Sequence, residues 1–156
     1  MTSSPLSKKI SADKWYLPTG IILSLIGFID STYLSLAYFR GENLNCSFLS
    51  GCEQVTTSAY STILGTPLAL IGLIFYALVF VVLVAYWDFE KKFLLEWLYW
   101  LAMIAFGVSL WLTAIQVFAL KALCQYCLIS AADSTLIFWA SWYRRKIGKR
   151  HTAELE

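Results

Sequence analysis

Long apolar runs, separated by short polar segments, make up most of this chain. Each run is about as long as the roughly 20 residues that a helix needs to cross a bilayer. The pattern therefore predicts an all-α membrane protein, a bundle of four transmembrane helices joined by loops. The four predicted spans are Pro18–Phe39, Pro67–Trp87, Trp97–Leu120 and Ala122–Tyr143.

The distribution of positive charge predicts which way the bundle lies in the membrane. Ten of the twelve Lys and Arg residues fall in the N-terminal segment, in the turn at 88–96 and in the tail. Because such residues favour the cytoplasmic side, both termini are expected inside. Residues 1–17 are then a cytoplasmic segment, 18–143 the membrane domain and 144–156 a cytoplasmic basic tail. The first run is longer than a signal-peptide core and lacks a clear cleavage site, so we interpret it as a span.

Composition supports the membrane assignment and excludes one class of partner. The chain is 59% hydrophobic and 14% charged, whereas soluble domains average about 45–50% and about 25%. The net charge of +2 is too small, and its basic residues too dispersed along the membrane flanks, to indicate a nucleic-acid partner.

The long loop between the first two spans is predicted to be extracytoplasmic. Within it Val55, Ala59 and Ile63 recur at a spacing of four, which predicts a short amphipathic helix against the membrane face. Pro67 then suits the first turn of the second spanning helix.

The four cysteines form two close pairs, and the predicted topology puts both pairs on the outer side. Cys46 and Cys52 lie in the long loop, while Cys124 and Cys127 form a C-x-x-C motif at the start of the fourth helix. Two structural disulfides are one interpretation, although so short a ring restricts the unfolded chain little. A four-cysteine zinc site is another, although its ligand spacing is unusual.

A thiol–disulfide relay is the interpretation that uses the position of each pair. A helix N-terminus stabilises a thiolate, so the C-x-x-C pair is placed for exchange chemistry. The loop pair is expected to be exposed enough to meet a protein, and the helix pair to lie close to the lipid. A quinone is the obvious two-electron acceptor at that depth.

The order of these motifs resembles the vitamin K epoxide reductase family. A C-x5-C loop is followed by a Ser/Thr-rich linker that ends in Gly65-Thr66-Pro67, then by two spans and by C-x-x-C. The resemblance extends over residues 18–143 and is to the microbial branch, whose members oxidise secreted-protein thiols and reduce quinone. Many of these carry a fused thioredoxin-like domain. None is seen here before Glu156, so a stand-alone homologue with a separate thioredoxin-like (DsbA-type) partner is expected.

The resemblance implies a role for each of five catalytic residues. Cys46 would exchange with the redox partner and Cys52 would shuttle to Cys124. Cys127 would face a quinone of the ubiquinone or menaquinone type and deliver electrons to it. Ser58 matches a family serine, and its hydroxyl would stabilise a thiolate or a quinol anion by hydrogen bonding. A helix cap is the alternative role for this serine.

One departure from the family pattern concerns the substrate. In the vertebrate branch a tyrosine four residues after the second C-x-x-C cysteine contacts the vitamin, and here that position is Ala131. Quinone reduction is therefore favoured over epoxide reduction. A DsbB-type oxidase is an alternative enzyme, but its quinone-facing pair lies near the second helix. A membrane scaffold with structural disulfides is the alternative outside the enzymes.

Two acidic residues, Asp30 and Asp133, lie near the middle of predicted spans. A carboxylate in the membrane is costly and suggests a function by default. We nevertheless favour a structural role for both, as neutral acids hydrogen-bonded to nearby hydroxyls. The hydroxyls within reach along the sequence are those of Ser31, Thr32, Ser130 and Ser134.

Overall fold

The computed structural model describes the backbone of residues 5–42, 51–63, 65–89 and 91–153, and side chains within these ranges from residue 15 to residue 147. Nearly all of this part of the chain is helical. The α-helices are α1 (Pro5–Arg40), α2 (Cys52–Thr56), α3 (Leu68–Phe89), α4 (Lys92–Ala114) and α5 (Gln125–Ala153).

The four long helices, α1, α3, α4 and α5, pack against one another as a bundle whose neighbours alternate in direction. At one end the second half of α1, the start of α3, the end of α4 and the start of α5 line one cavity. At the other end Tyr16 of α1 is hydrogen-bonded to Ser141 of α5 over 3.2 Å. There Arg144 of α5 also donates to the Tyr86 hydroxyl of α3 over 3.2 Å.

Among the described residues, three helical segments are long and apolar enough to cross a membrane: Trp15–Arg40, Leu68–Phe89 and Lys92–Leu120. They correspond to the first three predicted spans, and they indicate an integral membrane protein. α5 does not meet the same criterion, because Asp133 and several hydroxyl side chains interrupt its apolar sequence. The four-span count is therefore not established by hydropathy.

The interface between α1 and α3 depends on a small side chain. A Cβ atom at Gly27 of α1 would lie only 2.3 Å from the Tyr76 ring of α3, so the two backbones approach closely where glycine stands. Tyr76 is 2% exposed, and its hydroxyl lies 3.0 Å from the Ser130 Oγ of α5. Three of the long helices thus meet at this tyrosine.

The loop before α3 does not form the single amphipathic helix that the spacing of Val55, Ala59 and Ile63 predicts. α2 ends at Thr56, a 3-10 turn spans Ala59–Ser61, and a two-residue strand, β1 (Thr62–Ile63), pairs antiparallel with β2 (Thr66–Pro67).

The reason lies in the hydroxyl side chains after α2. Thr56, Thr57 and Ser58 each donate to a main-chain carbonyl three or four residues back, which competes with continuing the helix. Ser58 itself is extended, with φ −68° and ψ 157°. Val55 is buried while Ala59 and Ile63 are exposed, so the three side chains do not share one face. Pro67 is likewise in β2, one residue ahead of α3.

Candidate active site

The C-x-x-C motif lies where α4 turns into α5. α4 passes directly into a π-helical segment, Ile115–Leu120, and Lys121 then adopts a left-handed conformation with φ 49°. Because this turn is so short, α5 begins at Gln125, directly after Cys124. Cys127 therefore lies in the first turn of α5, where main-chain N–H groups have no partner within the helix.

Cys124 is completely buried, and both its main-chain N–H and its main-chain carbonyl are hydrogen-bonded. Its N–H donates to the Gln116 Oε1 atom over 3.1 Å, and its carbonyl accepts from the Leu128 N–H over 3.0 Å. Cys124 and Cys127 are both free thiols. The pair is thus in its reduced form.

The surroundings of Cys124 favour its thiolate. A hydrogen bond from the Cys127 thiol is the main cause that lowers the pKa of Cys124 to about 7, and the main-chain N–H groups of Cys127 and Tyr126 act in the same direction. Burial opposes them but does not outweigh three donors that point at one sulfur. A thiol with such a pKa is suited to disulfide exchange near neutral pH.

We expect the ultraviolet thiolate absorbance of the reduced protein to rise with pH, with a midpoint near pH 7 for Cys124. The lowered pKa leaves the reactive thiolate populated at neutral pH, and the thiolate is lost as the pH falls through that value. A pH titration of this absorbance measures the profile, because no reagent has to reach the buried sulfur. Cys127→Ser provides the comparison, since a serine hydroxyl is a different donor. A wild-type midpoint at the ordinary thiol pKa would contradict the assignment.

Cys52 lies in the same buried cluster as Cys124. It is 1% exposed, so the expectation that the loop pair is exposed enough to meet a protein is wrong for this cysteine. Leu34 and Val55 belong to the same cluster. Cys52 is disulfide-bonded, unlike the two cysteines of the C-x-x-C motif. Cys46, the other predicted loop cysteine, lies outside the described residues.

The loop that carries Cys52 fits tightly against the C-x-x-C turn. Gly51 is buried, and a Cβ atom there would lie 2.7 Å from the Leu123 main-chain nitrogen and 2.8 Å from its oxygen. Nearby, the Gln54 Nε2 atom donates to the Leu120 carbonyl over 3.3 Å. These contacts hold α2 over the start of α5.

A cavity of about 150 Å³ opens beside the second cysteine of the motif. A cavity of this volume in another protein accommodates benzene, so a single six-membered ring fits. Its wall includes Cys127, Asp30, Ser58, Gln116 and Ala131, whereas Cys124 is not part of it. The two cysteines therefore face different surroundings, the buried loop cluster for Cys124 and the cavity for Cys127.

Ser58 lies on the wall of the cavity as well, but its hydroxyl is already engaged. The Oγ atom donates to the Val55 carbonyl over 2.7 Å, so it can accept a further hydrogen bond but must leave Val55 to donate one. It stands at the start of the 3-10 turn without a side-chain capping bond. Its catalytic role stays a prediction.

The two carboxyl groups do not have the hydroxyl partners expected for them. Of the described residues, none has a hydrogen bond of good geometry to either oxygen of Asp133 or to the Oδ2 atom of Asp30, although the Tyr76 hydroxyl lies close enough to Asp133 to interact with it. The Ser130 hydroxyl pairs instead with Tyr76, and that of Ser134 with Ser109 over 2.8 Å. The two acids also differ in place, because Asp30 lines the cavity and Asp133 does not.

Two residues that hold this arrangement were not recognised as site residues from the sequence. Gln116 offered a signal, since an amide side chain within an apolar run is unusual and often functional. Gly51 offered none, because its role depends on the approach of Leu123, which is more than 70 positions away along the chain.

Comparison with protein families gives a match to the vitamin K epoxide reductase family over residues 18–142. The match covers most of the 156 residues, and the resemblance noted from the motifs is thereby confirmed. No individually curated protein matches the chain. The chain belongs to the vitamin K epoxide reductase family, whose members are membrane oxidoreductases.

Proposed function

We propose that the protein is a thiol–disulfide oxidoreductase that oxidises the dithiol of a separate thioredoxin-like protein and reduces a membrane quinone. The observation that carries this proposal is the position of the redox groups. A disulfide-bonded Cys52 and a free Cys124 share one buried cluster, and Cys127 opens onto a ring-sized cavity. In this proposal the loop pair receives electrons from the partner and the pair beside the cavity passes them to the quinone.

The proposed first step is disulfide exchange with the partner. The partner's dithiol reduces a disulfide between Cys46 and Cys52, with Cys46 as the point of attack, and the partner leaves with a disulfide. The Cys52 thiolate then attacks the Cys124 sulfur of an oxidised C-x-x-C pair, and Cys127 departs as the leaving thiolate. Cys46 resolves the Cys52–Cys124 bond, which restores the loop disulfide and leaves the helix pair reduced.

The second half-reaction takes place at the cavity. The Cys124 thiolate accepts the proton of the Cys127 thiol, in line with the hydrogen bond between them, so that Cys127 becomes the nucleophile beside the quinone ring. Two electrons and two protons pass to the quinone, a quinol leaves, and Cys124 and Cys127 form a disulfide. The free thiols at these positions, beside a disulfide-bonded Cys52, correspond to the state ready for this step.

Two alternatives are less well supported by these contacts. A scaffold with one structural disulfide per pair does not account for the free C-x-x-C thiols. Epoxide reduction is disfavoured because Ala131, which lines the cavity, offers no side-chain hydrogen-bonding group where the vertebrate branch has a tyrosine.

In the proposed topology α5 is the fourth span, both termini lie in the cytoplasm, and the cysteines lie on the extracytoplasmic side. Apolar side chains on α5 support this, since Trp139 is 66% exposed and Leu136 51%. Apolar groups exposed to this extent on a helix of the bundle are suited to lipid contact. The proposed inner end also carries the ion pair of Arg145 with Glu96.

The test is a quinone-dependent absorbance change. The purified protein, in detergent, is mixed with a reduced thioredoxin-like protein and a short-chain ubiquinone, with menadione in a parallel reaction. We expect the quinone absorbance to fall in step with oxidation of the partner's dithiol. Oxidation of neither dithiol in the presence of either quinone would overturn the proposal.

Asp30 is expected to contribute to quinone binding, since it lines the cavity and its Oδ2 atom has no partner. A carboxyl in its acid form and an amide can both donate to a quinone carbonyl. Asp30→Leu should therefore raise the KM for quinone by about tenfold, the usual effect of one lost hydrogen bond, and Asp30→Asn should raise it much less. Steady-state kinetics with dithiothreitol as the reductant measures both.

Asp133→Asn is the control for the Asp30 variants, because Asp133 is also a carboxyl within the bundle but does not line the cavity. Its KM for quinone should equal that of the wild type. An unchanged KM in Asp30→Leu, or an equal rise in Asp133→Asn, would contradict a specific role for Asp30.

A further inference from the structure

One side chain links the end of the third long helix to the redox pair. Gln116 is 4% exposed and lies in the π-helical segment that follows α4. Its main-chain carbonyl accepts from the Ala122 N–H over 3.2 Å, and its side-chain oxygen accepts from the Cys124 N–H over 3.1 Å. A single residue thus holds the short turn at two points.

The π-helical geometry explains why a residue so far back in the chain can do this. A π-turn inserts an extra residue into a helix and is frequently found at functional sites. Here the turn is followed at once by the left-handed Lys121, which folds the chain back over the end of its own helix. Gln116, eight positions before Cys124, is thereby brought beside the Cys124 peptide.

The same side chain also lies near the second cysteine. Gln116 lines the same cavity as Cys127, and its side chain is close enough to influence the Cys127 thiol. The Cys124 N–H is buried, and in the described part of the chain its acceptor is the Gln116 side chain. A buried N–H that loses its acceptor is costly, so the turn would have to rearrange without it.

We propose that Gln116 is a positioning residue, which holds Cys124 in the buried loop cluster and Cys127 against the cavity. It acts through the cysteines rather than on the substrate. The inference deepens the proposed function and rests on it, in that the positioned pair is the quinone-reducing pair.

The contact with Gln116 is expected to favour the reduced form of the Cys124–Cys127 pair over its disulfide form. In the reduced pair three donors converge on the Cys124 sulfur, and a stabilised reduced form makes a dithiol–disulfide pair more oxidising. If the turn rearranges after loss of the Gln116 side chain, these donors move away from the Cys124 sulfur. The pair without Gln116 should therefore be harder to reduce, and Cys124 should be less ionised at neutral pH.

The test uses two readouts that need no quinone. In Gln116→Leu the midpoint of the Cys124 thiolate absorbance should move upward in pH, and the equilibrium constant for reduction of the Cys124–Cys127 disulfide by dithiothreitol should fall by about tenfold. Gln116→Glu keeps an oxygen acceptor for the Cys124 N–H. The equilibrium constant for reduction by dithiothreitol should therefore fall less in Gln116→Glu than in Gln116→Leu.

The control is Thr113→Val, one turn earlier on α4. Thr113 also lines the cavity, but its hydroxyl donates to the Ser109 carbonyl of its own helix. Thr113→Val should leave the thiolate absorbance profile and the dithiothreitol equilibrium unchanged. If Gln116→Leu lowers only thermal stability and moves neither readout, Gln116 is a packing residue and the inference fails. Failure of the wild type to reduce quinone would instead refute the proposed function.

Discussion

Replacing Cys127 by serine should abolish quinone reduction with any reductant. A serine hydroxyl neither forms a disulfide with Cys124 nor gives up electrons to a quinone, so both electrons are retained in the protein. We expect the rate to fall by about 10³-fold or more, as is usual when a group that forms a covalent bond in the reaction is removed. Cys124→Ser should have the same effect, because the two sulfurs act as one unit.

The loop cysteines provide the matched comparison for this experiment. Cys46→Ser and Cys52→Ser should block turnover driven by the thioredoxin-like protein and preserve turnover driven by dithiothreitol, which can reduce the helix pair directly. Parallel assays of the four variants with both reductants establish the order of the relay. Quinone reduction by Cys127→Ser, or normal partner-driven turnover in Cys52→Ser, would show that the order is wrong.

The helices were predictable to the extent that lipid dictates sequence. A spanning helix must satisfy its main chain internally and present apolar side chains, which leaves a long run that is readily recognised. The runs at Pro67–Trp87 and Trp97–Leu120 correspond to α3 and to α4 with its π-helical extension. α5 is less apolar because its buried side, which faces the other helices, carries Asp133, Ser134 and Ser141. For that reason its mean hydropathy does not identify it as a spanning helix.

The loop could not be predicted with the same rule. A spacing of four favours a helix only when the intervening side chains do not compete for the main chain, and hydroxyls do compete. The same competition for main-chain carbonyls explains why Asp30 and Asp133 lack the hydroxyl partners expected for them. Thr32 and Thr135 donate to carbonyls four residues back, so hydroxyls close to Asp30 and Asp133 in sequence were not available to them.

The sequence names the candidate redox residues but not the residues that support them. Cysteine is rare enough, and C-x-x-C specific enough, that the four cysteines can be proposed from their spacing and the expected topology, and their catalytic roles stay predictions. Gln116 and Gly51 make contacts that appear only when α4, α5 and the loop are folded together. Sequence spacing alone therefore does not identify them.

The contact between Gly51 and the main chain of Leu123 leads to the other prediction with a large effect. In Gly51→Ala the new Cβ would lie 2.7 Å from the Leu123 nitrogen and 2.8 Å from its oxygen, and main-chain atoms cannot rotate away as a side chain can. The loop must lift from the C-x-x-C turn and carry Cys52 away from Cys124. Because a misplacement of about 1 Å can reduce a rate about 10²-fold, partner-driven turnover should fall by that order.

Dithiothreitol distinguishes this loss of transfer from general unfolding of Gly51→Ala. Turnover with dithiothreitol should fall less than partner-driven turnover, since α4 and α5 hold the helix pair. Some loss is expected, because the loop that lifts also lines the cavity through Val55, Ser58 and Tyr60. Gly107→Ala is the control, because Gly107 lies in α4 with no atom within 4 Å of an added Cβ. It should preserve turnover with both reductants. Normal partner-driven turnover in Gly51→Ala would contradict this prediction. It would mean that the contact between Gly51 and Leu123 is not needed for Cys52 to reach Cys124.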